Sequence, residues 1–141
     1  MRPIYETEKD RNREEQTFKL LAKKMDFDYI NMPQLSVVDK LLCYKDKRLA
    51  AIAELKIRTN RFNAYPTYLF SETKCSALLS IGEAIKVPAL LIVRFSDQIA
   101  FTKLRGGYDQ NLGGRVDRGD SKDIETCVFI PMQEFKIIME V

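Results

Sequence analysis

Three ionisable residues stand out in the first half of the chain by their type and spacing. Asp39 interrupts the apolar run SVVDKLL (36–42), and Glu54 and Lys56 interrupt AAIAELKI (50–57). In a strand, alternate side chains share a face, so Glu54 and Lys56 would lie one repeat of about 6–7 Å apart. Burying unpaired carboxylates costs several kcal/mol each. A divalent cation held by both Asp39 and Glu54 removes that cost, and Mg²⁺ favours oxygen ligands of this kind. The backbone carbonyl of Leu55 is a candidate third oxygen. Lys56 could then position a water or stabilise charge developing on a phosphoryl oxygen.

These groups converge only if the two runs pair. The polar triplet KDK (45–47) between them has hairpin length. Folding the chain there brings Asp39 to the level of Glu54, within one register step. A Glu-x-Lys triplet also makes a plain structural ion pair, with Asp39 unrelated. The residues alone leave both readings open.

Composition narrows the chemistry. The chain has 141 residues with 45% hydrophobic content, as expected for one domain spanning 1–141 with a real core. No apolar run approaches the roughly 18 residues a membrane span needs, and the start MRPIYETEKD has no apolar signal core. The expectation is a soluble intracellular protein. Histidine is absent, which excludes Ser-His-Asp and Cys-His catalysis and imidazole metal clusters. Cys43, Cys75 and Cys127 are odd in number with no CxxC pair, so they read as small buried hydrophobes. Hydrolytic chemistry must therefore rest on carboxylates, lysine, tyrosine and a hard cation. Between 56 and 74, four cations (Lys56, Arg58, Arg61, Lys74) face one carboxylate, Glu72. That cluster suits a polyanionic partner or a solvated surface.

The elements around these residues follow from periodicity. Phe18, Leu21, Ala22 and Met25 form the apolar stripe of a helix over 7–25, flanked by Glu14 and Glu15. Strands are expected over Phe27–Ile30, Ser36–Tyr44 and Arg48–Ile57. Residues 59–70 read as an aromatic and polar connection. Ser71 is placed to cap a helix over 72–86 with Leu78, Leu79, Ile81 and Ile85 on its apolar side. ALLIVRF (89–95) reads as a central strand, IAFTKL (99–104) as its neighbour and IETCVFI (124–130) as the last strand. Residues 105–121 carry five of the six glycines and read as a flexible loop. Pro131 can open a short C-terminal helix. The resulting order, helix, three strands, helix, strand, implies a mixed α/β sheet with helices packed on it.

In that order the motifs resemble the PD-(D/E)xK nuclease superfamily. VVDKLL, about a dozen residues, then AELK is similar to its acidic strand residue followed by (D/E)xK, with Val38 where the signature proline would stand. EQTFKLLAKKMDF is similar in spacing to the start of archaeal Holliday-junction resolvases of that superfamily, which favours Glu15 over Glu14 as a helix carboxylate. KIRTN…YPTYLFSETKCSALL…VPALLIVRFSD resembles small phage-encoded members. The likeness spans roughly residues 8–104.

The resemblance implies a restriction-endonuclease-like fold, a mixed four-stranded sheet flanked by helices. It also implies Mg²⁺- or Mn²⁺-dependent hydrolysis of DNA phosphodiesters by an endonuclease. Asp39 and Glu54 would bind metal, Glu15 would complete the site or bind a second ion, and Lys56 would orient or activate water. Junction resolvases act as dimers on branched DNA, so a homodimer is expected if the analogy extends that far, in the host-cell cytoplasm if the chain is phage-encoded. A non-catalytic DNA-binding accessory protein with the same fold is the alternative, though such proteins usually lose one of the four positions kept here.

Arg58, Arg61, Lys74, Arg115 and Arg118 are candidate phosphate contacts. Tyr65 and Tyr68 could stack on bases or simply cover the core.

Overall fold

The computed structural model describes residues 8–33, 38–114 and 124–141. It opens with helix α1 (Glu8–Met25), followed by β1 (Asp28–Asn31), β2 (Lys40–Cys43), β3 (Leu49–Ile57) and β4 (Thr67–Ser71). Helix α2 (Glu72–Ile85) leads to β5 (Ala89–Arg94), β6 (Gln98–Lys103), β7 (Asp109–Gly114) and β8 (Ile124–Pro131). A 3₁₀ turn (Met132–Glu134) and β9 (Lys136–Glu140) close the chain.

A six-stranded sheet runs β1-β2-β3-β5-β6-β9, and a three-stranded sheet runs β4-β8-β7. The larger sheet is mixed. β3 and β5 are parallel, because the chain must cross through α2 between them, and the other neighbours are antiparallel. β3 is covered on both sides. Ala51, Ala53 and Leu55 face Phe18 and Leu21 of α1, while Ile52 joins Leu78 of α2 and Tyr68, Phe70 and Ile130 of the smaller sheet. A strand covered on both faces reads as a nearly continuous apolar run, as AAIAELKI does.

Local chemistry sets the ends of α2. The Ser71 side chain accepts from the Lys74 N–H and caps the start, while Lys86 adopts the left-handed conformation (φ 61°) at the end. Lys47 takes positive φ (75°) in the hairpin turn between β2 and β3.

Several expectations are corrected. The strand expected from Ser36 begins at Lys40: Val38 and Asp39 precede the ladder, and Ser36 and Val37 lie outside the described residues. The connection 59–70 ends in β4, and the glycine-rich loop contains β7; residues 115–121 lie outside the described residues. β7 is a polar edge strand with no apolar alternation to reveal it. Pro131 leads into only one 3₁₀ turn before β9, which pairs with β6 and leaves β8 the penultimate strand. The four-stranded sheet is thus the centre of a larger one. On α1, Met25 is exposed, and Thr17 is buried in its stead. Thr17 is satisfied by donating to the Arg13 carbonyl and accepting from Arg94.

Candidate active site

The β2–β3 hairpin sets the site. Lys40 pairs with Ala53, so the next step of that register, just past the end of the ladder, places Asp39 opposite Glu54. Residues directly opposite each other in an antiparallel pair point to one face. The Leu55 N–H donates to Asp39 Oδ2 at 3.2 Å, where a backbone partner from β2 has run out. In a strand, the N–H and C=O of one residue leave on the same edge. The Leu55 carbonyl is therefore turned to the side where Asp39 lies.

Glu54 is the centre of the cluster, with its side chain only 7% exposed. Its Oε1 lies 3.6 Å from Lys56 Nζ and its Oε2 lies 3.4 Å from Lys74 Nζ. Both are ion pairs at a distance; no hydrogen bond of good geometry reaches the buried Oε2. Burial pushes the Glu54 carboxyl above its usual range, the neighbouring charge of Asp39 adds to the rise, and Lys56 and Lys74 oppose it. A buried carboxylate whose oxygens are held by ion pairs, beside a second carboxylate and a carbonyl turned to the same edge, is a donor set that fits a hard divalent cation.

Glu15 is held by β1. Its Oε1 accepts from the Tyr29 hydroxyl at 2.6 Å and its Oε2 from the Asn31 amide at 3.0 Å, both on β1. The Tyr29 bond is the main reason its carboxyl is held below the usual range. Among the described residues no three carboxylate, thiol or imidazole groups cluster as a metal site.

Lys40 connects the two regions. It is buried on β2, its Nζ 3.8 Å from Asp39 Oδ1 and 5.3 Å from the centre of the Phe18 ring, and its charge reaches Glu15. Sequence reasoning passed over this lysine, although the doublet DK inside an apolar run carried the signal: a lysine there needs a carboxylate.

The candidate phosphate contacts divide. Lys74 is in the site itself, on Glu54. The Arg58 guanidinium lies 5.2 Å from the Tyr68 ring centre, and Arg61 is paired with Asp97 at 3.3 Å. Arg115 and Arg118 lie outside the described residues.

Three comparisons with known proteins bear on this arrangement. Residues 1–138 match the family described as "Phage putative PDDEXK endonuclease". No curated protein matches the chain by sequence. Among solved structures it is similar to Hjc of Archaeoglobus fulgidus, described as a Holliday junction resolvase from an archaeal hyperthermophile. The two share 14% identity and a TM-score of 0.52, over 66% of this chain and 76% of that one. At that identity the likeness speaks for the fold, a mixed α/β, restriction-endonuclease-like architecture.

Proposed function

The chain belongs to the phage PDDEXK endonuclease family, and from that premise we propose that it is a divalent-cation-dependent DNA endonuclease. Asp39, Glu54 and the Leu55 carbonyl hold Mg²⁺ or Mn²⁺, and Lys56 works beside them. The observation that carries this reading is Glu54: a buried carboxylate opposite Asp39 in register, whose Oε2 has an ion pair to Lys74 but no hydrogen bond of good geometry.

Bound there, the cation supplies neutralising charge and Lewis acidity to a phosphodiester. The chain's own groups do the rest. Asp39 is held in place by the Leu55 N–H. Lys74 offsets the charge of Glu54 from the α2 side. Lys56, whose side chain is 35% exposed, reaches solvent on the face that Glu54 occupies. Its ammonium can orient an attacking water or stabilise charge on a phosphoryl oxygen. Glu15 acts indirectly, through Lys40, whose ammonium faces Asp39. Arg58, Arg61, Arg115 and Arg118 contact phosphates, Arg61 by giving up Asp97. Residues 1–141 work as a single nuclease domain in the host-cell cytoplasm. No described helix is long and apolar enough to cross a membrane. Branched DNA as substrate and pairing of two copies follow the analogy to junction resolvases.

The test is cleavage of supercoiled, linear, single-stranded and four-way-junction DNA with Mg²⁺, Mn²⁺ or EDTA. Cleavage that needs metal and is lost in Asp39→Ala, Glu54→Ala and Lys56→Ala supports the reading. DNA binding without cleavage under every metal supports the accessory protein instead. Neither binding nor cleavage overturns both.

A further inference from the structure

A second feature lies beside the carboxylates. The chain leaving β3 past Lys56 forms one wall of a cleft of about 170 Å³, lined by Arg58, Asn60, Phe62, Tyr65, Tyr68 and Phe95 among others. Drug-sized ligands fill clefts of roughly 300–1,000 Å³, so this one has room for a single flat ring system. We infer that it receives one unstacked nucleobase of the DNA, next to the bond to be cut. This deepens the nuclease reading and rests on it for the identity of the ligand.

Three observations carry the inference. First, the walls are aromatic and preformed. Phe62 packs edge-on against Phe95 at 5.5 Å, and Tyr68 against Phe95 at 6.3 Å. The loop is pinned to the β5–β6 turn: the Phe62 N–H donates to Asp97 Oδ1, and the Ser96 N–H to the Asn60 carbonyl. Tyr65 stands at the rim, 63% exposed, where a ring can cover an inserted base. Every base has a π face, so such walls accept any of them.

Second, the Tyr68 hydroxyl is buried in this lining and makes no hydrogen bond of good geometry, with the Arg58 guanidinium beside it. A base whose insertion moves Arg58 aside can offer that hydroxyl its polar edge. Third, Arg58 links the cleft to the backbone. It sits over Tyr68, two residues after Lys56, where a cation meets the phosphate of the nucleotide whose base enters. Tyr68 also feels the charge of Glu54, which places the cleft and the carboxylates in one electrostatic neighbourhood. An aromatic slot here makes the nuclease prefer DNA whose bases are already unpaired, because a paired base must first be unstacked.

The experiment uses the full chain in EDTA, so that nothing is cut, with two duplexes carrying 2-aminopurine, one paired and one in a single-base bulge. Wild-type protein is expected to bind the bulged duplex more tightly and to change the fluorescence of the bulged probe only. In Tyr65→Ala the ratio of the two dissociation constants falls by about 5- to 100-fold, as expected for one lost stacking contact. Tyr68→Phe, which keeps the ring and removes only the hydroxyl, lowers it less. Equal binding of both duplexes by wild type, or an unchanged ratio in both variants, overturns the inference. Metal-dependent cleavage of the paired duplex is measured in parallel. Cleavage with no preference for the bulge sinks the base cleft and leaves the nuclease standing. Preference for the bulge without cleavage under any metal does the reverse.

Discussion

Asp39 does two jobs in this structure, and substitution can separate them. Its Oδ2 accepts from the Leu55 N–H, and its carboxylate charge faces Glu54 and Lys40. Leu55 is buried, and its amide points to an edge where the β2 ladder has ended. Asp39→Asn keeps an oxygen for that amide and removes the charge. Asp39→Ala removes both. The two variants lose the Lys40 ion pair equally, so their difference isolates the hydrogen bond to Leu55. A buried donor left unsatisfied costs about 1–3 kcal/mol. In a domain of this size each kcal/mol moves the midpoint by about 3–4 °C, so Asp39→Ala should melt about 3–12 °C below Asp39→Asn. The assay is thermal unfolding by circular dichroism in EDTA, where no cation contributes. Midpoints within a degree of each other would refute the claim that Asp39 anchors the end of the hairpin.

Two further outcomes follow from the same geometry. The Glu54 carboxyl sits above its usual range through burial, so without metal the folded state holds its proton more tightly than the unfolded chain does. The associated stability is fully present below the unfolded value near 4.5 and is lost as pH rises through the raised one. Metal-free wild type should therefore lose stability relative to Glu54→Gln as pH climbs from 4.5 to neutrality, as melts across that range will read; parallel curves would contradict the burial argument. In α2, a Cβ on Gly82 would meet the Val87 carbonyl at 2.8 Å, so Gly82→Ala should lower stability by about 1–3 kcal/mol in urea unfolding.

What the sequence made legible depended on how local the cause was. The Ser71 cap, the KDK turn and the buried β3 each follow from a few neighbouring residues, and each stands where periodicity and turn chemistry put it. The level of Asp39 against Glu54 was within reach only to one register step: the turn alone pairs Asp39 with Ala53, and a register shift between Leu42 and Cys43 moves it onto Glu54. The edges were not legible. β4 and β9 owe their existence to partners far along the chain, and β7, paired with the strand that follows it, is too polar to alternate. Glu15 shows the limit for site residues. Spacing put a carboxylate on the right helix, but its direction is decided by Tyr29 and Asn31, donors on a strand that a helical stripe does not see. Lys40 and the Tyr68 hydroxyl were hidden in the same way, since only the packing around them shows that one lies beside a carboxylate and the other beside the Arg58 guanidinium.

The central claim is that Asp39 and Glu54 together hold one divalent cation beside Lys56. Titration of Mn²⁺ into the metal-free protein, followed by loss of the free-ion electron paramagnetic resonance signal, tests it without depending on turnover. The account predicts saturable binding by wild type, binding reduced by tenfold or more in both Asp39→Asn and Glu54→Gln, and binding kept in Lys56→Met. Wild-type affinity in Glu54→Gln would contradict it.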